Sequence, residues 1–183
     1  MAEIYFRNEN ETANTPVSDG HPLPVTMSPE NPVTAVGRLH ETDWVQPGFG
    51  ATSGAHDAND ALGDVFSFSN VPRRGRILSI KMLDPDDDTL AAIIHLYTGA
   101  LVGAASDAAY AVTDDYALGW VATERFDAGE DEGAFKAHKI TDVNTEYVAE
   151  DGKLYAQLST TGTPTIASQA VMPRVKLFIL PLE

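Results

Sequence analysis

Apolar and polar residues alternate with a period of two through most of the chain beyond residue 60. Such alternation marks strands with one face buried and one wet. Between residues 62 and 71, Leu62, Phe66 and Phe68 share one side while Ser67 and Ser69 share the other. Between 76 and 83, Leu78, Ile80 and Met82 oppose Ser79 and Lys81. The segment Asn70-Val71-Pro72-Arg73-Arg74-Gly75 separates these two runs, and Pro and Gly there read as turn punctuation. Residues 61–88 are therefore expected to form a hairpin with a basic tip, closed by the acidic turn 84–88. The run 90–97, LAAIIHLY, is apolar on both sides, as befits a central strand.

Further strands are predicted at 118–126, with Trp120, Ala122 and Phe126 inward, at 135–140 and at 144–149. Glu150-Asp151-Gly152-Lys153 reads as an Asp-Gly hairpin turn. Leu154, Ala156 and Leu158 then alternate against Tyr155, Gln157 and Ser159. Residues 162–167 form a loop or edge strand. The last strand, 171–182, places Val175, Leu177 and Ile179 opposite Arg174 and Lys176. The one candidate for a helical turn follows Asp107 as N-cap. Eight to ten short strands with almost no helix predict an all-β fold, an antiparallel β-sandwich or barrel.

Residues 1–40 break the pattern. Ile4, Tyr5 and Phe6 suit one short strand, but Pro16, Pro22, Pro24, Pro29 and Pro32 exclude a helix or a central strand after it. The expectation is an extended N-terminal arm over 1–40 and a sandwich domain over 41–183. Such an arm is either disordered or laid along another surface. His21, Leu23 and Val25 belong to its apolar knot and are the expected points of attachment. Residues 41–62 are rich in Gly and Ala, with Trp44 expected to plug an edge of the core.

Composition narrows the function. The 183 residues suit one domain with a core that needs no staples. Cysteine is absent, which excludes disulfides, thiolate metal sites and cysteine nucleophiles. With 27 acidic against 12 basic residues the formal net charge is −15. A surface so acidic repels phosphate backbones and anionic membranes, so neither nucleic acid nor membrane is an expected partner. No apolar run reaches the length of a membrane span, and the opening residues hold no secretory h-region. The expectation is synthesis in a cytoplasm, with any exit by a route such as lysis.

Candidate chemistry is sparse. Asp84, Asp86 and Asp88 have the spacing of the first three EF-hand ligands, but Thr89 stands where Gly is required and His95 where the bidentate Glu belongs. They are read as a solvated turn, with a cation site as the alternative; Glu130, Asp131 and Glu132 repeat the theme. The five histidines, His21, His40, His56, His95 and His138, show no metal-ligand spacing, and His95 is read as a satisfied sheet histidine. No GxSxG and no P-loop is present. The expectation is a protein without enzymatic activity, cofactor or resident metal. Arg73, Arg74 and Arg76 form a basic cluster, either an exposed tip or a docking contact to acidic groups, because Arg forks bind carboxylates well.

Taken together, ALGDVFSF, VPRRGRILSIKMLDPDD, LAAIIHLY, SDAAYAVTDDYAL, GKLYAQL and PRVKLFILPL, with HPLPV in a Pro-rich arm, resemble small virion structural proteins of tailed bacteriophages. The likeness covers about three quarters of the chain and lies in strand order and turns. It implies a sandwich of jelly-roll type on the capsid outer surface, acting as a decoration or cement protein. The implied partners are the major capsid protein and other copies of the chain in a homotrimer. The alternative is a tail, fibre or head-fibre component recognising a host-surface glycan. A cellular carbohydrate-binding module and a hydrolase are the remaining rivals.

Overall fold

The computed structural model describes residues 5–6, 15–16, 38–49, 54–85, 90–111, 118–126 and 129–182. Two compact units divide the chain, Met1–Val36 and Gly37–Glu183. In the first, strand β1 (Tyr5–Phe6) pairs antiparallel with β2 (Thr15–Pro16). His21, Leu23 and Val25 lie outside the described residues, as do Asp86 and Asp88.

The second unit is all-β and antiparallel. One sheet has the order β3 (His40–Glu41), β13 (Arg174–Pro181), β6 (Arg74–Asp84), β10 (Lys136–Val148), β9 (Glu130–Asp131). The other has β5 (Ala61–Ser69), β11 (Lys153–Thr160), β7 (Ala92–Tyr97), β8 (Trp120–Phe126). A short pair, β4 (Gly54–Ala55) with β12 (Thr165–Ile166), lies outside both sheets. The inner faces share one core. Leu62, Phe68, Ile94, Leu96, Leu154 and Leu158 of the four-stranded sheet join Ile77, Ile80, Met82, Val175, Leu177 and Ile179 of the five-stranded one, all fully buried. Each such side chain stabilises the fold by about 1.5–3 kcal/mol relative to exposure. This is the expected antiparallel sandwich. No helix among the described residues is long and apolar enough to cross a membrane.

The expected hairpin over 61–88 is not one. β5 pairs with β11, and β6 pairs with β10 and β13. The turn after β5, with Asn70 at φ 59°, carries the chain from one sheet to the other. The Asp-Gly turn does the same between β10 and β11, with Gly152 at φ 68°. The two crossings lie side by side: Val71 N–H donates to Gly152 O at 3.1 Å and Ala149 N–H to Arg73 O at 2.7 Å. Left-handed turn residues signal a reversal, but they do not say whether the returning strand pairs or changes layer.

Bulges change which residues face inward on several strands. Leu78 is skipped in the pairing of β6 with both neighbours, so Ile77 takes the inward place expected of Leu78. A shift between Leu96 and Tyr97 leaves Val121 unpaired, buries it and turns Trp120 outward to 57 % exposure. The predicted strands at 135–140 and 144–149 are one strand, β10, bulged where Asp142 and Asn144 take positive φ. Trp44 is 38 % exposed and does not plug the core; its neighbour Val45 bridges Val175 and packs inward. Asp107 caps no helix among the described residues. It takes φ 66°, and Ala109 then bridges Asp60 as an extra edge to the sheet.

The connection after β7 explains why the other side of β11 is also buried. It lies across the outer face of the four-stranded sheet and is held there by Gln157, which has no exposed surface. The Gln157 amide donates to Gly63 O at 3.2 Å and Ala104 O at 2.6 Å, and its carbonyl accepts from Ala104 N–H at 3.1 Å. Gly103 permits this approach, since a Cβ there would stand 2.3 Å from the Gln157 oxygen.

Candidate functional site

The five-stranded sheet turns its outer face to solvent, and that face is basic. Period-two geometry puts Lys81 between the buried Ile80 and Met82, pointing outward. Lys139 of β10 and Lys176 of β13 are its direct register partners on either side. Three lysines thus stand in one row across three strands. Arg174 flanks the row on one side, while Arg76 and Arg74 lie beyond it at the other end of β6. Six of the chain's twelve basic residues (Arg74, Arg76, Lys81, Lys139, Arg174, Lys176) therefore share one sheet face of a protein with net charge −15.

Local contacts offset only part of this charge. Arg76 forms an ion pair with Glu146, and Lys176 Nζ stands 3.4 Å from Glu41. Lys176 Nζ also sits 5.3 Å from the Trp44 ring centre, and Lys81 Nζ 5.1 Å from that of Phe178, within cation–π range. Among the described residues no ion pair reaches Lys81 or Lys139. A groove of about 440 Å³ is lined by Trp44, Lys81, Leu83 and Lys139 together with the carboxylates of Glu130 and Glu132. Like charges directly opposite on neighbouring strands destabilise a sheet. A row of three is the opposite of what folding alone favours.

Of the sequence-derived docking cluster, Arg74 and Arg76 belong to this face, while Arg73 sits exposed in the sheet-crossing turn. Lys81, Lys139, Arg174 and Lys176 were not joined to it by the sequence. The outward positions of Lys81, Arg174 and Lys176 follow from alternation, but that of Lys139 and the alignment of the row depend on strand register. Asp84, read as part of a solvated turn, is instead 1 % exposed at the end of β6, beside Lys136 in register. Glu130, Asp131 and Glu132 are exposed, and Asp131 accepts from Gly133 N–H at 2.7 Å, which makes a turn.

His95 is the satisfied sheet histidine that was expected. Its Nε2 lies 2.9 Å from Ser159 Oγ and its Nδ1 3.3 Å from Thr123 Oγ1, while the indole N–H of Trp120 donates to the same Thr123 oxygen at 3.0 Å. Tyr110 stacks on the imidazole at 3.9 Å and shares a 2.7 Å hydrogen bond with Tyr97. Burial pushes the Tyr110 hydroxyl pKa up, helped by that bond. A Ser–His contact alone does not make a nucleophile. Ser159 is buried, and the group on the far nitrogen is a threonine, not a carboxylate. The network ties β7, β8 and β11 together.

Burial lowers the His95 pKa from 6.5 to about 4. The unfolded chain therefore binds the extra proton first as the solution is acidified. This contribution to stability is full above pH 6.5 and is lost as pH falls toward 4. Between pH 7 and pH 5 the expected loss is about 2 kcal/mol. Urea titrations at both pH values should show this loss shrinking by that amount in His95→Gln. Identical pH dependence in the two proteins would contradict the assignment.

No family model, curated protein or solved structure matches the chain. One further cluster also emerges only in three dimensions. His56, Asp60 and Asp107 bring possible metal-ligating atoms within 4.8 Å of one another. Their separation along the chain matches no ligand-spacing motif.

Proposed function

We propose that this protein is a non-enzymatic adhesive module, a decoration or cement protein that binds the outer surface of a tailed-phage capsid shell and stabilises it. The basic face of the five-stranded sheet is the docking surface, and an acidic patch on the major capsid protein is its counterpart. The observation that carries this reading is the in-register row Lys139–Lys81–Lys176 on a chain of net charge −15. Three aligned cations cost the isolated fold stability, and an acidic partner reverses that cost. The resemblance to phage virion proteins supplies the identity of the partner. It also supplies the homotrimer and the N-terminal arm reaching neighbouring subunits; multivalent attachment of that kind raises avidity without new contacts.

Charge complementarity acts mainly on association rate and specificity, and salt weakens it. Cosedimentation with purified empty capsids should therefore be strong at about 0.05 M salt and much weaker at about 1 M, where the screening length falls to about 3 Å. Failure to cosediment at low salt would contradict the proposal.

A second reading, a fibre component that recognises a host-surface glycan, draws on one feature. Trp120 and Leu118 are 57 % and 93 % exposed at the edge formed by β8. An exposed indole held in place by a side-chain hydrogen bond suits stacking on a sugar ring. Binding to host cells that is lost in Trp120→Ala, without capsid cosedimentation, would favour it.

A further inference from the structure

We propose that His56, Asp60 and Asp107 form a binding site for a divalent transition-metal ion of the Zn²⁺ class, separate from the basic docking face. His56 is 2 % exposed, yet its Nδ1 makes no hydrogen bond among the described residues. Polar atoms buried this deeply are nearly always paired. The Nδ1 atom points toward the Asp107 carboxylate, whose Oδ1 lies 3.6 Å away. At 3.6 Å the contact is too long to count as a hydrogen bond. It is close to the distance between two ligands of one ion: bonds of about 2.1 Å in tetrahedral geometry hold neighbouring ligands about 3.4 Å apart. Asp60 completes the set, with all three ligand atoms inside 4.8 Å.

The backbone holds the three residues in this arrangement. His56 N–H donates to Pro164 O at 2.9 Å. Asp57 N–H donates to Asp60 Oδ2 at 2.8 Å and so orients that carboxylate. Asp107 N–H donates to Ala61 O at 3.0 Å, Ala61 N–H to Ala108 O at 2.8 Å, and Tyr110 N–H to Asn59 O at 2.7 Å. The site thus lies where the segment leading into β5 meets the connection that covers the outer face of the four-stranded sheet. One imidazole and two carboxylates fit Zn²⁺ and neighbouring transition ions; Ca²⁺ and Mg²⁺ prefer oxygen alone. Three protein ligands leave one tetrahedral position for water. The ion would act as a clip between two chain segments, and an ion that binds only the folded chain raises its stability by mass action.

The test uses the full chain, stripped with a chelator and dialysed, and ZnCl₂ as the probe. Calorimetric titration should give one saturable site per chain, and thermal unfolding should move up by several degrees in about tenfold excess zinc. Asp107→Asn keeps the side-chain shape, and Asn tolerates the left-handed backbone at this position. It and His56→Ala should each weaken zinc binding by about 100-fold and abolish the thermal shift. If His56→Ala does not fold, Asp107→Asn alone decides. Asp131→Asn with Glu132→Gln, in the exposed acidic turn, should bind as the parent does. Three results would overturn the site: no saturable binding by the parent at about 1 mM zinc, parental affinity in Asp107→Asn, or loss of binding in the exposed-turn variant.

Discussion

Replacing Lys81, Lys139 and Lys176 together with glutamate should weaken capsid binding by about 100-fold or more while the sandwich stays folded. Each reversal removes an attraction to the acidic partner and adds a repulsion. At about 1 kcal/mol per position, three reversals amount to about 3 kcal/mol, or more than two orders of magnitude in affinity. The single change Lys81→Glu is the sharper experiment. It converts a row of three cations into Lys–Glu–Lys, replacing two like-charge neighbours with two opposite-charge pairs worth about 0.2–1 kcal/mol each. It also gives up the cation–π contact with Phe178, worth about 0.5–1 kcal/mol at an exposed site. The expected balance is a fold as stable as the parent's or up to about 1 kcal/mol more stable, with capsid binding about tenfold weaker. A residue needed only for folding would move stability and binding down together. Urea denaturation and cosedimentation on the same preparations separate the two cases.

Gln157→Ala should destabilise the fold by about 3 kcal/mol. The side chain has no exposed surface, and all three of its hydrogen bonds end on backbone groups of Gly63 and Ala104. Alanine leaves those groups buried without a partner, at about 1–3 kcal/mol for each one that water cannot reach, and adds a cavity. The effect should be local before it is global. Hydrogen exchange at the Ala104 amide should rise towards open-loop rates while the amides of β6 and β13 remain protected. A loss below about 1 kcal/mol with Ala104 still protected would show that the covering connection is held by something else.

These two cases also show what the sequence discloses. The buried faces of β11 and β13 were legible because Leu154, Ala156 and Leu158, like Val175, Leu177 and Ile179, keep strict alternation. Lys81 and Lys176 were legible as outward for the same reason, whereas alternation leaves the faces of 135–140, and so of Lys139, open. Alternation assigns a face but carries no register, so the lysine row was not visible. Nor did alternation survive the bulges that exchanged Leu78 for Ile77 and turned Trp120 outward. The residues at Asn70 and Gly152 signal a turn, but the hairpins expected there do not form, because nothing local states that the next strand joins the opposite sheet. Gln157 looked like a solvent-facing residue because the connection that covers it is more than 40 residues away in the chain. His56, Asp60 and Asp107 were hidden by the same long-range closure.

We propose the outer face of the five-stranded sheet as the docking surface. Lysine acetylation of the capsid-bound protein, read by mass spectrometry, tests it within a single sample. Lys81, Lys139 and Lys176 should be protected relative to the free protein, while Lys153, exposed at the start of β11, should label equally in both states. Equal labelling of the three row lysines in free and bound protein would contradict the account.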